Sequence, residues 1–520
     1  MSIPTQNAAV VPGQADQMQP IVGIVGCGIM GRGIAQIAIL AGAQVHLFDV
    51  SPGAANAAHS ALNATFDTLV AKGRLEAGQT AAAMSRLLAC ASIDQLAPCN
   101  VIVEAIVEDL TAKKALFVEL ETIVATDTIL ATNTSSLSVT AIAAGCAHPQ
   151  RVAGFHFFNP VPLMKIVEVI GGLLTAPRVV EQLLALGTAW GHVAVRAKDT
   201  PGFIVNHAGR GFGTEGLRIL AEGTTSIAGL DRILRDCAEF KLGPCELMDM
   251  TGLDVSHPVM ESIYRQYFEE PRFRPQGLTR QMLTAGLLGK KSGRGFYTYD
   301  TAGKKITESE ITPEPVAPTS QPIWISNAQP ALAALVRPML ASGVLLDAGE
   351  RPAADTLCIV TPLGEDCTTC AVREGLDPAR TIAIDALFDS PHHHVLMTNP
   401  ATRPDTVAQA CLRFGHAGAR ISVLRDSAGL VTQRVVAHIV NIACEIAQQG
   451  IAIPADIDRA VVLGLGYPRG PLAWGDAIGA PIVLTILNNL VAQSGDARYR
   501  PSPWLQRRAQ LQLSLLHLEQ

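Results

Sequence analysis

The chain has 520 residues and a mass of 54.9 kDa, too long for one ordinary core at about 150 residues per domain. It is 48% hydrophobic and 17% charged, with 45 Gly and 32 Pro, which excludes a disordered or fibrous chain. A balance of 40 Lys+Arg against 46 Asp+Glu, net −6, with no long basic block argues against nucleic-acid binding. No uninterrupted run of about 18 apolar residues marks a membrane span.

Met1 to Gln19 lack both a basic n-region and an apolar core, so they read as a disordered tail (1–18) and not as a secretory signal. The 11 cysteines are scattered without regular spacing, the pattern of reduced, buried thiols in a cytoplasmic protein. Cys367 and Cys370 form a Cys-x-x-Cys without a second pair of ligands nearby. His392, His393 and His394 are adjacent, and successive side chains on a strand alternate faces. No metal site is expected.

The first strong signal is IVGIVGCGIMGRGIAQIAILAGAQVHLFDV, residues 21–50. Ile21 to Val25 reads as a buried strand, Gly26, Gly28 and Gly31 give the spacing G-x-G-x-x-G, and helical periodicity follows. A second strand, Gln44 to Phe48, ends in Asp49, 23 positions beyond Gly26 (49 − 26). Gly26 allows a tight turn, Gly28 lets a pyrophosphate reach the backbone, and Gly31 lets helix and strand pack closely. Asp49 stands where an acid accepts hydrogen bonds from the adenosine ribose and repels a 2′-phosphate, so NAD is expected over NADP.

Strand-like runs continue at Val101 to Val107, Thr128 to Thr132, Val152 to Phe157 and Lys165 to Ile170, with a helix over 111–124. That alternation predicts a parallel sheet covered by helices. Segment 55–90 reads as a helical hairpin projecting from the sheet.

Three blocks carry chemistry: ATNTSSL (131–137), GFHFFNPVPLMKIVEV (154–169) and DTPGFIVN (199–206). His156 sits at a strand end among Phe155, Phe157 and Phe158, and His is the side chain best suited to accept a hydroxyl proton near neutral pH. Glu168 lies inside an apolar run, where an unpaired carboxylate is costly. If their strands are neighbours, Glu168 orients His156 and stabilises its protonated form. Ser135 and Ser136 either hydrogen-bond a substrate oxygen or cap the next helix. Asn206, in a helix opened by Thr200 and Pro201, is either a packing amide or a substrate donor.

Together with LGKKSGRGFY (288–297), these blocks occur in the order found in the 3-hydroxyacyl-CoA dehydrogenases, which residues 19–300 resemble closely. The resemblance implies His156 as base and Glu168 as its orienting partner. It also implies Ser135 and Asn206 on the substrate hydroxyl and thioester, and Glu108, Lys113 and Asn133 beside the nicotinamide ribose. The implied reaction is oxidation of an (S)-3-hydroxyacyl-CoA to the 3-ketoacyl-CoA, with NAD as cofactor. Lys72 and Arg74 on the hairpin are candidates for the CoA phosphates.

The remaining length reads as a second copy. DTPGFIVNH (199–207) matches DSAGLVTQR (426–434), an offset of 227 (426 − 199). Without a gap the same offset pairs Gly223 with Gly450, Asp231 with Asp458, Gly243 with Gly470 and Asp249 with Asp476. It carries Asn206 to Gln433 and Glu168 to Val395, while local matching places His156 at Asp385, and no glycine loop precedes them. The predicted fold class is α/β. A Rossmann-like NAD-binding domain (19–198) is followed by an all-helical domain (199–300), a linker (301–321), a degenerate Rossmann-like segment (322–425) and a second helical copy (426–520). Helical domains of this kind form the dimer interface in shorter family members. That implies an internal pseudo-dimer of the two copies, within a chain that can itself assemble as a homo-oligomer.

YPRGPLAWGDAIG (467–479) and RYRPSPWLQRRAQL (498–511) extend the resemblance to the 3-hydroxyadipyl-CoA dehydrogenases of bacterial phenylacetate breakdown, implying a substrate whose acyl chain ends in a carboxylate. Arg210, one turn beyond Asn206, either binds that carboxylate or is a surface arginine. Gly209, Gly211, Gly213 and Gly216 each cost about 1 kcal/mol in a helix interior, so either the helix is broken there or its backbone approaches another element closely. Two other readings remain: an NAD-dependent dehydrogenase of free 3-hydroxy acids, and a catalytically silent NAD-binding protein.

Overall fold

Alternating apolar runs and amphipathic stretches build two sheets and two groups of helices. The computed structural model describes residues 20–306, 321–388, 390–415 and 418–519. The tail at 1–18 and the Pro-rich centre of the linker, 311–320, lie outside the described residues. The chain divides into two compact units between Ala194 and Val195.

The first unit opens with β1 (Ile21–Val25), α1 (Ile29–Leu40) and β2 (Gln44–Phe48), followed by α2 (Ala54–Ala71), α3 (Ala77–Met84) and β3 (Leu87–Ala89). It continues through β4 (Val101–Glu104), α4 (Leu110–Ile123), β5 (Ile129–Thr132), α5 (Val139–Ala143), β6 (Val152–Phe157), β7 (Ile166–Gly171) and α6 (Pro177–Ala189). The sheet, completed by β8 (Val193–Lys198), runs β3-β2-β1-β4-β5-β6-β7-β8. Its core is the set of buried strand and helix side chains Val22, Ile24, Ile34, Val45, Val103 and Phe155. Such near-continuous apolar strands are what burial on both faces requires.

Three sequence expectations change. Segment 55–90 is a helical hairpin only as far as Met84, because Leu87–Ala89 pairs in parallel with β2 as the edge strand. The sheet is not wholly parallel, because β7 runs antiparallel to β6. The segment joining them is too short for a crossover helix. Thr200 and Pro201 do not open the helix that carries Asn206. Phe203, at φ 48, is left-handed, its N–H closes a turn on the Thr200 carbonyl (2.9 Å), and α7 (Val205–Ala208) begins only beyond it.

In the second unit α7 continues through Gly209 into α8 (Arg210–Ala221), then α9 (Ile227–Ala238), α10 (Pro244–Thr251), α11 (Leu253–Gln266) and α12 (Gly277–Thr284). A five-stranded sheet follows, built from β9 (Ile323–Ile325), β10 (Leu357–Val360), β11 (Thr381–Ile384), β12 (His393–Met397) and β13 (Arg420–Leu424), with α13 (Pro330–Val336), α14 (Cys367–Arg373) and α15 (Pro404–Phe414). Its order, β13-β12-β11-β10-β9, repeats β8-β7-β6-β5-β4, and β11 and β12 are again its antiparallel pair. Arg151 before β6 donates to the carbonyls of Ala125 and Thr128, and Arg380 before β11 donates to those of Ala353 and Thr356. Among the described residues this sheet has no counterparts of β1, β2 and β3.

The chain ends in α16 (Val431–Gln448), α17 (Pro454–Leu465), α18 (Pro471–Ile478), α19 (Ala480–Ser494) and α20 (Pro503–Leu511). Asp231 accepts from the N–H groups of Cys245 and Glu246, and Asp458 from those of Leu472 and Ala473. Every partner is displaced by the same 227 positions. Contacts between the copies are reciprocal: Lys198 N–H donates to Ile451 (2.9 Å) and Arg425 N–H to Thr224 (3.1 Å). Helices α8 and α16 pack face to face. A Cβ on Gly211 would crowd Ile439 at 3.2 Å, and one on Gly216 would meet Pro244 at 2.7 Å. The glycines of α8 therefore mark close approach, not a broken helix. No single helix among the described residues is long and apolar enough to cross a membrane.

Glu215 on α8 is fully buried in this contact. It accepts from Arg434 Nε (3.0 Å) and Nη2 (2.8 Å), Arg498 Nη1 (3.1 Å) and Tyr499 OH (2.7 Å). Burial alone would raise its pKa, but the two guanidinium groups hold it down, from 4.5 to about 2. A depressed carboxylate contributes stability that is present above its unfolded pKa and lost as pH falls toward the folded one. We expect Glu215 to contribute about 3 kcal/mol at neutral pH, lost between pH 4.5 and 2. Glu215→Leu, which leaves two arginines buried without a carboxylate, is expected to destabilise by about 3–5 kcal/mol. Urea melts of both proteins at pH 7 and at steps from pH 4.5 to 2 check both; a destabilisation below about 1 kcal/mol at pH 7, or one that persists unchanged at the acid end, would refute the account.

Candidate active site

The first unit gathers polar side chains at the carboxyl ends of β1, β2, β4, β5 and β6, the edge where open α/β sheets bind ligands. Gly26 has φ 106, a left-handed conformation that only glycine adopts without strain, and its N–H donates to Phe48 (2.9 Å). Gly28 caps α1, and nothing lies within 4 Å of where its Cβ would stand. A Cβ on Gly31 would instead overlap the Gly26 carbonyl. Space is open at Gly28, and backbone closes it at Gly31.

Asp49 accepts from the N–H groups of Cys27 (2.7 Å) and Ser51 (2.9 Å). Partial burial opposes ionisation, yet these two bonds hold its carboxyl below the usual range. It stays an anion with a fixed orientation at the end of β2. A cradle open at Gly28, a helix N-terminus behind it and an acid at the second strand fit a dinucleotide carrying a free 2′-hydroxyl.

His156 and Glu168 are directly opposed across β6 and β7. Nδ1 lies 2.7 Å from Oε2, with Glu168 fully buried and His156 4% exposed. A carboxylate only accepts, so the hydrogen sits on Nδ1 and the lone pair falls on Nε2. Phe158 packs on the imidazole at 4.4 Å between centroids.

Glu108, Lys113 and Ser135 form one connected network. Glu108 Oε1 accepts from the hydroxyls of Thr134 (2.7 Å), Ser135 (3.3 Å) and Ser136 (3.0 Å) and from the N–H groups of Ser135 (2.9 Å) and Ser136 (3.0 Å). Burial would raise its pKa, but Lys113 and these donors hold it below the usual range. Asn133 Oδ1 accepts from Phe157 N–H (2.8 Å), tying β5 to the His156 strand.

Sequence reasoning missed Glu104, the fully buried acid at the end of β4. It accepts from Lys113 Nζ (2.5 Å), Ile106 N–H (2.7 Å) and Thr132 Oγ1 (2.7 Å). The available signal was an acid closing an apolar strand, nine positions before a lysine that is itself buried (113 − 104). Lys72 caps α2 at its exposed carboxyl end, with Arg74 two residues beyond.

Asn206 and Arg210 belong to the second unit. Asn206 is half-buried on α7, and the half-buried Arg210 donates from Nε to its backbone carbonyl (2.9 Å). In the second copy the corresponding positions are closed. Asp385 N–H donates to Val395 where His156 faced Glu168 in the first sheet. Gln433 fills the remaining space, donating to Asp385 Oδ1 and Pro362 and accepting from Gly364 N–H. His393, in the expected non-metal triplet, is taken up by Asp236 (2.9 Å) and Ser422 (2.8 Å). Among the described residues no group of three or more His, Cys, Asp or Glu is placed to hold a metal ion.

Comparison with known proteins agrees with this geometry. The profile of the 3-hydroxyacyl-CoA dehydrogenase NAD-binding domain matches residues 21–200, and that of the C-terminal domain matches twice, at 202–299 and 429–514. A relative from Escherichia coli K12, described as 3-hydroxyadipyl-CoA dehydrogenase, is 36% identical over 94% of this chain and 98% of its own length. A solved E. coli K12 structure, described as 3-hydroxybutyryl-CoA dehydrogenase, superposes with a TM-score of 0.84 at 35% identity, covering 95% of this chain and 98% of its own. A probable 3-hydroxybutyryl-CoA dehydrogenase of Bacillus subtilis is 38% identical over 53% of this chain and 96% of its own length. The chain belongs to the 3-hydroxyacyl-CoA dehydrogenase family and is an NAD-dependent oxidoreductase.

Proposed function

We propose that the chain oxidises (S)-3-hydroxyacyl-CoA thioesters to 3-ketoacyl-CoA with His156 as general base. The observation that carries this reading is the buried His156–Glu168 pair at 2.7 Å, beside the glycine loop's sheet edge. His156 Nε2 takes the substrate hydroxyl proton, and Glu168 stabilises the imidazolium that results. NAD, held by Gly26, Gly28, Gly31 and Asp49 with Glu108, Lys113 and Asn133 toward the nicotinamide ribose, supplies the hydride acceptor. Ser135 and Asn206 position the substrate oxygens, and Lys72 meets the CoA phosphates. Closure of the Asn206 position by Gln433 in the second copy supports one active site per chain.

Among acyl groups, 3-hydroxyadipyl and 3-hydroxybutyryl are the two candidates, because relatives that share the full two-copy length are described with each. The second helical copy serves as an internal partner of the first. Reciprocal hydrogen bonds at a constant offset are the signature of a two-fold contact. Eleven free cysteines suit a reducing, cytoplasmic setting.

NADH absorbance with acetoacetyl-CoA, with free acetoacetate, and with neither separates the readings; turnover of the free acid alone, or NADH binding without turnover, would overturn this one. His156→Gln is expected to lower kcat by about 10²- to 10⁴-fold, and Glu168→Gln by at least about tenfold, with NADH affinity kept; wild-type kcat in either variant would refute the base. Gly28→Ala and Gly31→Ala should separate ligand access from packing. The first is expected to keep the melting temperature and weaken NADH binding at least about tenfold, the second to lower the melting temperature. The opposite pattern in paired thermal melts and NADH titrations would refute the assignment.

A further inference from the structure

The first unit holds a buried carboxylate that charge pairing does not call for. Lys113, 1% exposed, lies 3.4 Å from Glu108 Oε2, and one carboxylate is enough to balance one ammonium. A second, Glu104, stands 2.5 Å from the same Nζ and is fully buried. Burying a further acid costs free energy that a neutral residue closing β4 would avoid. Both oxygens of that acid are nonetheless matched. Oε1 accepts from Lys113 and from the N–H of Ile106 (2.7 Å), and Oε2 from the Thr132 hydroxyl (2.7 Å).

Strand β4 pairs with β1 on one side and β5 on the other, with Glu104 in register with Val25 and with Thr132. The order β3-β2-β1-β4-β5-β6 runs outward in both directions from the β1–β4 boundary, the switch point at which a dinucleotide crosses an open α/β sheet. A Cβ on Gly26 would meet the Ala105 carbonyl at 2.5 Å and Ile106 N at 3.0 Å. The backbone that Glu104 fastens therefore lies against the glycine turn. On its other side Lys113 joins Glu104 to Glu108, whose Oε1 accepts from the N–H groups of Ser135 (2.9 Å) and Ser136 (3.0 Å). Two carboxylates around one ammonium leave one negative charge at the switch point.

We propose that Glu104 is a positioning residue that fixes Lys113 and, through the negative charge left unbalanced, biases the coenzyme site toward oxidised NAD. The role rests on the reading given above, in which Glu108, Lys113 and Asn133 face the nicotinamide ribose. The nicotinamide ring is a cation in NAD and neutral in NADH. A fixed negative charge beside it therefore attracts the oxidised form and discriminates between the two. Glu104 exerts this field from the interior, where salt screens it little. With Lys113 paired to Glu108 alone the group would be neutral, and that discrimination would be lost.

Titrations of the full-length enzyme with NAD and with NADH give the ratio of their dissociation constants, which a general loosening of the fold leaves unmoved. Glu104→Gln keeps the shape and removes the charge, and is expected to weaken NAD relative to NADH about three- to tenfold. Glu104→Asp, which keeps the charge, is expected to hold the ratio within about twofold of the wild-type value. Glu108→Gln removes an equal charge at the exposed rim of the group and is expected to shift the ratio in the same direction. It decides the matter should Glu104→Gln fail to fold. A ratio unchanged in Glu104→Gln or in Glu108→Gln, or shifted as far by Glu104→Asp as by Glu104→Gln, would overturn the proposal and leave the dehydrogenase reading intact. Absence of NAD and NADH binding by the wild-type enzyme would overturn both.

Discussion

An imidazole and a carboxylate face each other across two antiparallel strands in the interior of this protein. Neither tolerates burial alone, since a lone carboxylate or imidazolium in an apolar interior is strongly disfavoured. The antiparallel pairing of β6 with β7 opposes His156 to Glu168 in register, and a slip of one residue would turn both side chains to opposite faces. The surrounding structure follows from keeping that register: Asn133 tied to Phe157, the Glu108-bound serine loop, and the aromatic packing beneath. An imidazole of fixed tautomer results, with Nε2 as the atom left to accept a proton.

The second half of the chain shows which parts of the architecture are separable. It keeps the strand order beyond β4, the arginine before the first antiparallel strand and the aspartate that caps a helix pair. Among the described residues it lacks counterparts of the strands that carry the glycine loop and Asp49. Asp385 and Val395 stand where His156 and Glu168 face each other in the first copy, and Gln433 spans the gap. The polar groups buried there are matched by the hydrogen bonds of Gln433. Retention of the fold without its chemistry is explained by the α8–α16 contact, which buries a carboxylate between two arginines and lets glycine backbones approach.

The same contact is unequal where symmetry would make it equal. Arg210 has Ala437 as its counterpart, and Phe240 has Tyr467. An exact two-fold repeats every contact, whereas a duplicated chain lets each copy diverge alone.

Much of this was legible in the sequence. Strand, glycines, helix, strand and acid in order defined the coenzyme edge, because each residue type answers a local geometric demand. The paired burial of His156 and Glu168 followed from the cost of leaving either alone, and the duplication from a constant offset in glycines, prolines and aspartates. What local pattern left open was decided by partners distant along the chain. The parallel edge strand Leu87–Ala89 exists only because β2 offers hydrogen bonds, Phe203 breaks the helix that Thr200 and Pro201 announced, and Glu104 is recognisable only beside Lys113 and Thr132. Sequence determined which groups had to be satisfied; the tertiary structure chose which neighbour satisfies each, because hydrogen bonding and burial act through space and not along the chain.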